Sequence, residues 1–338
     1  MTKPAAEDFQ KLMTFVRGFR DAKIVMVAND LEMFDHLEEF RTAVEIAGLV
    51  KADPRAVGIL LNALAALGLV IKDGERFRNG ELTSRYLVGG KDEYRGAIVH
   101  HMHHTWWGWS DLEGTVLRGH ADMDKSERWL DRESDSEKKW VKAFIWGMHA
   151  IARDLAPQVA AKMDLTGVAR LLDLGGGPAT YAIAFAQVSP QLSATVFDLP
   201  QPITIAQENI NRHGLAERVN TMAGNFLKDD IGSGYDFIWI SQILHSHTEE
   251  QCRLIIGKAV KALNPGGQVA IQDFFLNDDQ TSPLEAAMFS VHMLAVTPGG
   301  RAYTHREVAE MMVQAGLNPP EHQTTSPQTS VLIGRKKQ

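Results

Sequence analysis

The chain is poor in cysteine, in charge of one sign and in long apolar runs. A single cysteine, Cys252, among 338 residues excludes an internal disulfide and a multi-cysteine zinc site, and it points to a reducing compartment such as the cytoplasm. Thirty-five basic against 42 acidic side chains leave a formal net charge of −7, with no long block of either sign. No basic surface therefore announces a nucleic acid or an anionic membrane. The longest greasy stretch, Ala56 to Ile71, is interrupted by Asn62 and is too short to span a bilayer. The N-terminus MTKPAAEDFQ has no apolar core behind basic residues, so no export signal is read there. What remains is an ordinary mixture for a soluble chain, 44% hydrophobic and 23% charged, long enough for about two domains and suited to a small-molecule partner.

Apolar residues recur at helical spacing from Asp8 to about Glu45, predicting two or three amphipathic helices. Asp53-Pro54 then caps a helix running to Leu67, with Asp at the N-cap and Pro at the first helical position. LVIKDGERFRNGELT alternates apolar and polar residues around Asp73-Gly74 and Asn79-Gly80, two dipeptides favoured in tight hairpin turns. Helix, helix, hairpin is a winged-helix pattern. Its would-be recognition helix, RAVGILLNALAAL, has one basic residue, Arg55, where DNA readout needs several. Being greasy on all faces, it instead predicts burial against a second subunit and hence a homodimer. A cofactor-binding regulator that places its winged helix on DNA is the non-enzymatic alternative.

Residues 96–160 read as helices, and from Gly167 short apolar strands alternate with helical segments: ARLLDLG, ATVFDL, VNTMAG, YDFIWISQIL, GGQVAIQDFFL and a final TSVLIGRK. That alternation predicts an α/β fold, a doubly wound, Rossmann-like, mostly parallel sheet with its ligand at the carboxyl ends of the first strands. The expected organisation is a dimerisation unit over 1–95, a helical linker contributing to a substrate pocket over 96–160, and a catalytic domain over 161–338.

The first strand runs into Gly175-Gly176-Gly177-Pro178 and a helix, and the second strand ends in Asp198 about twenty residues on. Glycines let backbone amides approach an anion at a helix N-terminus, and a strand-end carboxylate accepts ribose hydroxyls. The spacing departs from a dinucleotide fingerprint, since Thr180 replaces the third glycine and Asp173 precedes the loop, where its charge opposes a pyrophosphate. S-adenosylmethionine, with a cationic sulfonium and ammonium and one carboxylate, suits such a loop better than NAD.

DLGGG (173–177), FDLP (197–200), GNF (224–226), SQILHSHTEEQC (241–252), LNPGGQVAIQDF (263–274) and MLAVTPGGRAYTHREV (293–308) together resemble the motif series of the family 2 class I O-methyltransferases. The likeness covers nearly the whole chain and includes an N-terminal winged-helix dimerisation domain. It implies a methyltransferase that uses S-adenosylmethionine on the hydroxyl of a small aromatic or polyketide-like metabolite of secondary metabolism. Asp173, Gly175, Gly176, Gly177, Asp198, Leu199, Asn225, Phe226 and Ser241 are then the cofactor-contacting positions, with Asn225 where the family commonly has Asp and Ser241 where plant members have Lys.

Methyl transfer is an in-line displacement at the sulfonium methyl, and a phenol becomes a good nucleophile only as it loses its proton. His245, just past the strand YDFIWISQIL, matches the family's catalytic histidine and is the expected general base. Plant members follow it with Asp and brace it with two acids. Here Ser246 follows, Asp273 stands at the first acid's position and Ala302 at the second, leaving Asp273 as the orienting partner. Met148, His149, His292 and Met293 fall on segments that line the family's substrate pocket. Some bacterial members place two pocket histidines on a metal for C-methylation, so a His245–His292 pair on iron or zinc is the enzymatic alternative. His247 reads either as a second polar residue at this turn or as a solvent-facing one. His100, His101, His103 and His104 crowd one helix, where His100 and His104 share a face at i, i+4. Trp106, Trp107 and Trp109 read as core or pocket wall.

Overall fold

The computed structural model describes residues 3–122, 135–326 and 328–337. The chain divides into two compact units, residues 1–106 and 107–338. The expected linker is shared between them: Gly96–His104 belongs to the first unit, whereas residues 123–134 lie outside the described residues.

In the first unit the helices Lys3–Arg17 and Phe19–Asp30 precede a winged-helix arrangement. Strand β1 (Arg41–Thr42) leads into the helix Ala43–Val50, whose N-terminus is closed by a Thr42/Glu45 capping box. Asp53 caps the next helix, Pro54–Ala66, through the Ala56 amide at 2.8 Å, with Pro54 at its start as the sequence predicts. The hairpin of β2 (Val70–Asp73) and β3 (Arg76–Asn79) completes a three-stranded sheet of order β1-β3-β2. Asp73 pairs with Arg76, so Gly74, at φ +57°, and Glu75 form the turn. Asn79-Gly80, expected to be a second hairpin turn, is not one. Asn79 is buried and donates to the Phe34 carbonyl, and Gly80 opens the helix Glu81–Tyr86 where a Cβ would lie 2.9 Å from the Leu69 carbonyl oxygen. Close backbone approach, not a turn, requires that glycine. Val57, Leu61 and Leu64 bury one face of Pro54–Ala66 while Ile59 on another stays 57% exposed.

The second unit is built on a seven-stranded sheet of order β6-β5-β4-β7-β8-β10-β9: β4 (Arg170–Leu174), β5 (Ser193–Asp198), β6 (Val219–Ala223), β7 (Tyr235–Ser241), β8 (Leu263–Asp273), β9 (Glu321–Thr324) and β10 (Ser330–Arg335). β4 to β8 pair in parallel, and β10 runs antiparallel between β8 and β9. β9 carries no apolar alternation, and its short EHQT segment gave no sequence signal. Leu171, Phe237 and Trp239 point to one buried layer and Leu172, Ile238 and Ile240 to the other, as expected of strands covered on both faces. The strand order reverses between β4 and β7. The carboxyl ends of these strands and of their neighbours β5 and β8 therefore open one crevice, the place where ligands bind in such sheets.

Candidate active site

At the end of β4 the chain turns through Gly175, at φ +74°, and Gly177, at φ +51°, into the helix Thr180–Val188. A Cβ on Gly175 would sit 2.3 Å from Ile243 Cδ1, so the loop lies directly against the turn that follows β7. Asp173 is not on the open side of the loop. Its carboxylate is buried beneath Gly176 and accepts a hydrogen bond from the Ala182 amide at 3.1 Å, closing the first turn of the helix from below. Burial, reinforced by the charge of Asp198, pushes the Asp173 carboxyl up to about 7.

Asp198 ends β5 and accepts hydrogen bonds from the amides of Gly177 and Leu199, each at 2.7 Å. Burial raises its carboxyl above the ordinary range, and those two amides work against the rise. Past β6, Asn225 uses its side-chain oxygen on the Leu227 amide, and the Phe226 carbonyl accepts from Lys258. The Phe226 ring lies beside Gly175 and meets His247 edge-on at 5.5 Å. His247 is therefore not solvent-facing; burial, with a smaller contribution from His245, holds its imidazole below its usual value. Ser241 donates to the Gln272 side chain on β8 at 3.0 Å.

β7 ends in Ser241 and Gln242, the latter at φ +62°, and the tight turn Leu244–Ser246 places His245 inside the protein. Its Nδ1 lies 2.6 Å from Oδ1 of Asp273 at the end of β8, and its main-chain amide donates to the other carboxylate oxygen at 3.3 Å. A carboxylate only accepts, so Nδ1 carries a proton and Nε2 presents the lone pair of a neutral imidazole. The ring meets Phe289 edge-on at 4.8 Å, and Phe289 packs on Phe274 at 4.4 Å, giving the base an aromatic wall. Ala302, where a second acid stands in plant members, is buried and apolar.

The helix Leu284–Val296 carries the other pocket residues. Met293 is buried, with its sulfur 4.0 Å from the Ser246 hydroxyl. His292 stacks on Trp109 and accepts the indole N–H on Nδ1 at 3.0 Å. His149 sits elsewhere: its Nδ1 lies 2.9 Å from the Thr180 hydroxyl at the glycine loop, with half-buried Met148 beside it. Trp109, expected as core or pocket wall, lies at the site through His292, and Phe274 and Phe289 are site residues that the motifs do not single out. Phe289 lies three positions before His292 on one helix, a spacing that was readable, whereas Trp109 is 183 positions away from its partner.

The iron or zinc reading does not fit these residues. An indole N–H on Nδ1 leaves the proton of neutral His292 on Nε2, so a metal at Nε2 would require an imidazolate. Among the described residues, no group of three His, Cys, Asp or Glu side chains is arranged to hold a metal.

Residues 109–318 match the model of the O-methyltransferase domain, and residues 13–89 that of the O-methyltransferase dimerisation domain. The chain belongs to the O-methyltransferase family. It is 35% identical over 277 residues to the 3-hydroxy-5-methyl-1-naphthoate 3-O-methyltransferase of Streptomyces sahachiroi, covering 82% of this chain and 79% of that one. An O-methyltransferase family protein from Burkholderia thailandensis has a similar structure, with a TM-score of 0.84 at 28% identity over 97% of this chain and 98% of the other. The human N-acetylserotonin methyltransferase, solved in complex with SAM, shares the fold at a TM-score of 0.85 and 22% identity, over 98% of each chain. This O-methyltransferase uses S-adenosylmethionine to methylate a hydroxyl, and among its described residues no helix is long and apolar enough to cross a membrane.

Proposed function

We propose that the enzyme methylates a phenolic hydroxyl of a small, flat aromatic or polyketide-like metabolite, with His245 as general base and Asp273 as its orienting partner. The observation that carries this reading is the buried 2.6 Å contact between His245 Nδ1 and Asp273, which leaves Nε2 to take the phenol proton as the oxygen becomes nucleophilic. Phe274 and Phe289 supply flat apolar surface for an aromatic ring.

For the cofactor, the loop Gly175–Gly177 offers backbone close to a helix N-terminus, Asp198 and Leu199 stand where a ribose is held, and Asn225 and Phe226 border an adenine. Gly175 fits this assignment because a side chain there has no room. Asp173 supports the loop from beneath, and Ser241 acts on it through the strand end. Bound S-adenosylmethionine supplies the electrophilic methyl group. Met148 and His149 border the loop end of the pocket, and His292 and Met293 its far wall. No metal is required in this scheme.

Residues 1–95 are read as the dimerisation part, 96–160 as the pocket part and 161–338 as the catalytic part, while the methyltransferase-domain match already begins at residue 109. Homodimerisation is favoured by the match over 13–89 and by the exposed Phe9, Leu12, Phe15 and Phe19, an apolar surface that a partner subunit would cover. One buried free thiol, Cys252, agrees with work in the cytoplasm.

His245→Ala is expected to lower kcat on an accepted phenol by about 10²–10⁴-fold while the Kd for S-adenosylmethionine, read by calorimetry, stays within about threefold. Asp273→Asn is expected to lower kcat less and to alter its pH profile, since a neutral amide oxygen holds Nδ1–H without the charge that stabilises the imidazolium. Full turnover by His245→Ala would remove the base assignment.

A further inference from the structure

His292 is a half-buried polar group that the proton transfer does not use. Tryptophan's indole nitrogen only donates, so the 3.0 Å bond from Trp109 makes Nδ1 of His292 an acceptor. The near-parallel stacking of the two rings, 19° apart, holds the imidazole plane as well. A neutral ring so held has its one N–H at Nε2, on the side away from Trp109, and among the described residues no hydrogen bond from it is formed. The ring shares Phe289 as a neighbour with His245, so this N–H and the base flank the same aromatic wall.

We infer that Trp109 locks His292 as an Nε2–H donor that recognises an acceptor oxygen, a carboxylate or ketone, on the same aromatic substrate whose hydroxyl faces His245. This rests on the proposed phenol methylation and narrows it to phenols bearing such an oxygen. A donor that loses water to a bound substrate and finds no acceptor on it is unfavourable, so a phenol that lacks the oxygen binds less well. Burial pulls the His292 imidazole down to about 4, so near neutral pH the ring is a neutral donor. His292 is thereby a specificity residue, and Trp109 a positioning residue acting through it.

The test uses the full-length enzyme and three probes: a naphthol, the same naphthol with a carboxylate meta to the hydroxyl, and the corresponding methyl ketone. Wild type is expected to favour the acid and the ketone over the plain naphthol by about tenfold or more in kcat/KM, mainly through KM. His292→Phe keeps an aromatic ring and is expected to abolish that preference, the acid and the ketone losing more kcat/KM than the plain naphthol does. His292→Gln restores an N–H near the Nε2 position and is expected to recover part of the preference, and Trp109→Phe to weaken it. Calorimetric binding of the acid and the plain naphthol, each with S-adenosylhomocysteine present, reads recognition without turnover. Discrimination in binding with no methylation of any probe would overturn the reaction reading alone. Equal binding of the two by wild type, or equal losses on all three probes in His292→Phe with the melting temperature unchanged, would overturn the donor assignment even if methylation proceeds.

Discussion

Asp198 accepts the amide hydrogen of Gly177 at 2.7 Å, which ties the end of β5 to the loop that follows β4. One carboxylate thereby sets the loop's shape and keeps further lone pairs for a ligand's hydroxyls.

Replacing Asp198 by Asn removes a charged acceptor and leaves one oxygen for Gly177. Hydrogen bonds to charged groups contribute about 1.5–3 kcal/mol, so the Kd for S-adenosylmethionine is expected to rise by about ten- to a hundredfold. Calorimetric titration measures it, with the melting temperature as a control. An unchanged Kd would mean that the ribose is held elsewhere.

Asp173 makes stability depend on pH. Its carboxyl is raised to about 7, so folding favours the protonated form. The stability gained from that form is complete below the ordinary carboxylate range and is lost as pH rises through about 7. Asp173→Asn keeps the shape and an acceptor for the Ala182 amide without titrating. Urea unfolding at about pH 5 and about pH 8 is expected to show a loss in wild type that the variant lacks; parallel losses in both would locate the pH dependence in other groups.

The histidine cluster acts within the first unit. Asp30 receives His100 on one carboxylate oxygen, at 2.9 Å, and His103 on the other, joining the helix Gly96–His104 to Phe19–Asp30. Burial works to raise the Asp30 carboxyl, but the two histidine hydrogen bonds outweigh it and leave it lowered; the bond to Asp30 in turn raises His100. The Asp30 contribution to stability is lost as pH falls through its lowered value, and the His100 contribution as pH rises through its raised one. Asp30→Asn is therefore expected to lower the melting temperature most near pH 6, and less near pH 9, by a few degrees at most because His100 is partly exposed. A penalty independent of pH would show that the cluster does not titrate in this range.

What the sequence made legible were features fixed locally. The glycine loop, Asp198 and His245 each sit at a strand end, where apolar runs stop and the chain must turn, so pattern and position coincide. The Asp273 pairing was legible through its motif, and Asp53-Pro54 through its capping chemistry. What stayed hidden depends on contacts across the chain. Asp173 reads as a loop-flanking charge, and only the packing of Gly176 over it turns it into a buried brace. Asn79-Gly80 has turn composition but is claimed by Phe34 and Leu69. Two histidines sharing Asp30, and an indole fixing His292, join residues too far apart for any spacing rule.

Gly300 bears on how this enzyme diversifies. A Cβ at that position would lie 2.2 Å from the His245 carbonyl oxygen, so the segment leaving the helix Leu284–Val296 packs directly on the backbone of the base, with the Gly300 amide held by the Thr297 hydroxyl at 2.8 Å. Because Phe289 and Met293 of that helix also touch His245 and Ser246, a side chain at position 300 would move the pocket wall and the base together, and substrate range can change only on a backbone that keeps this glycine.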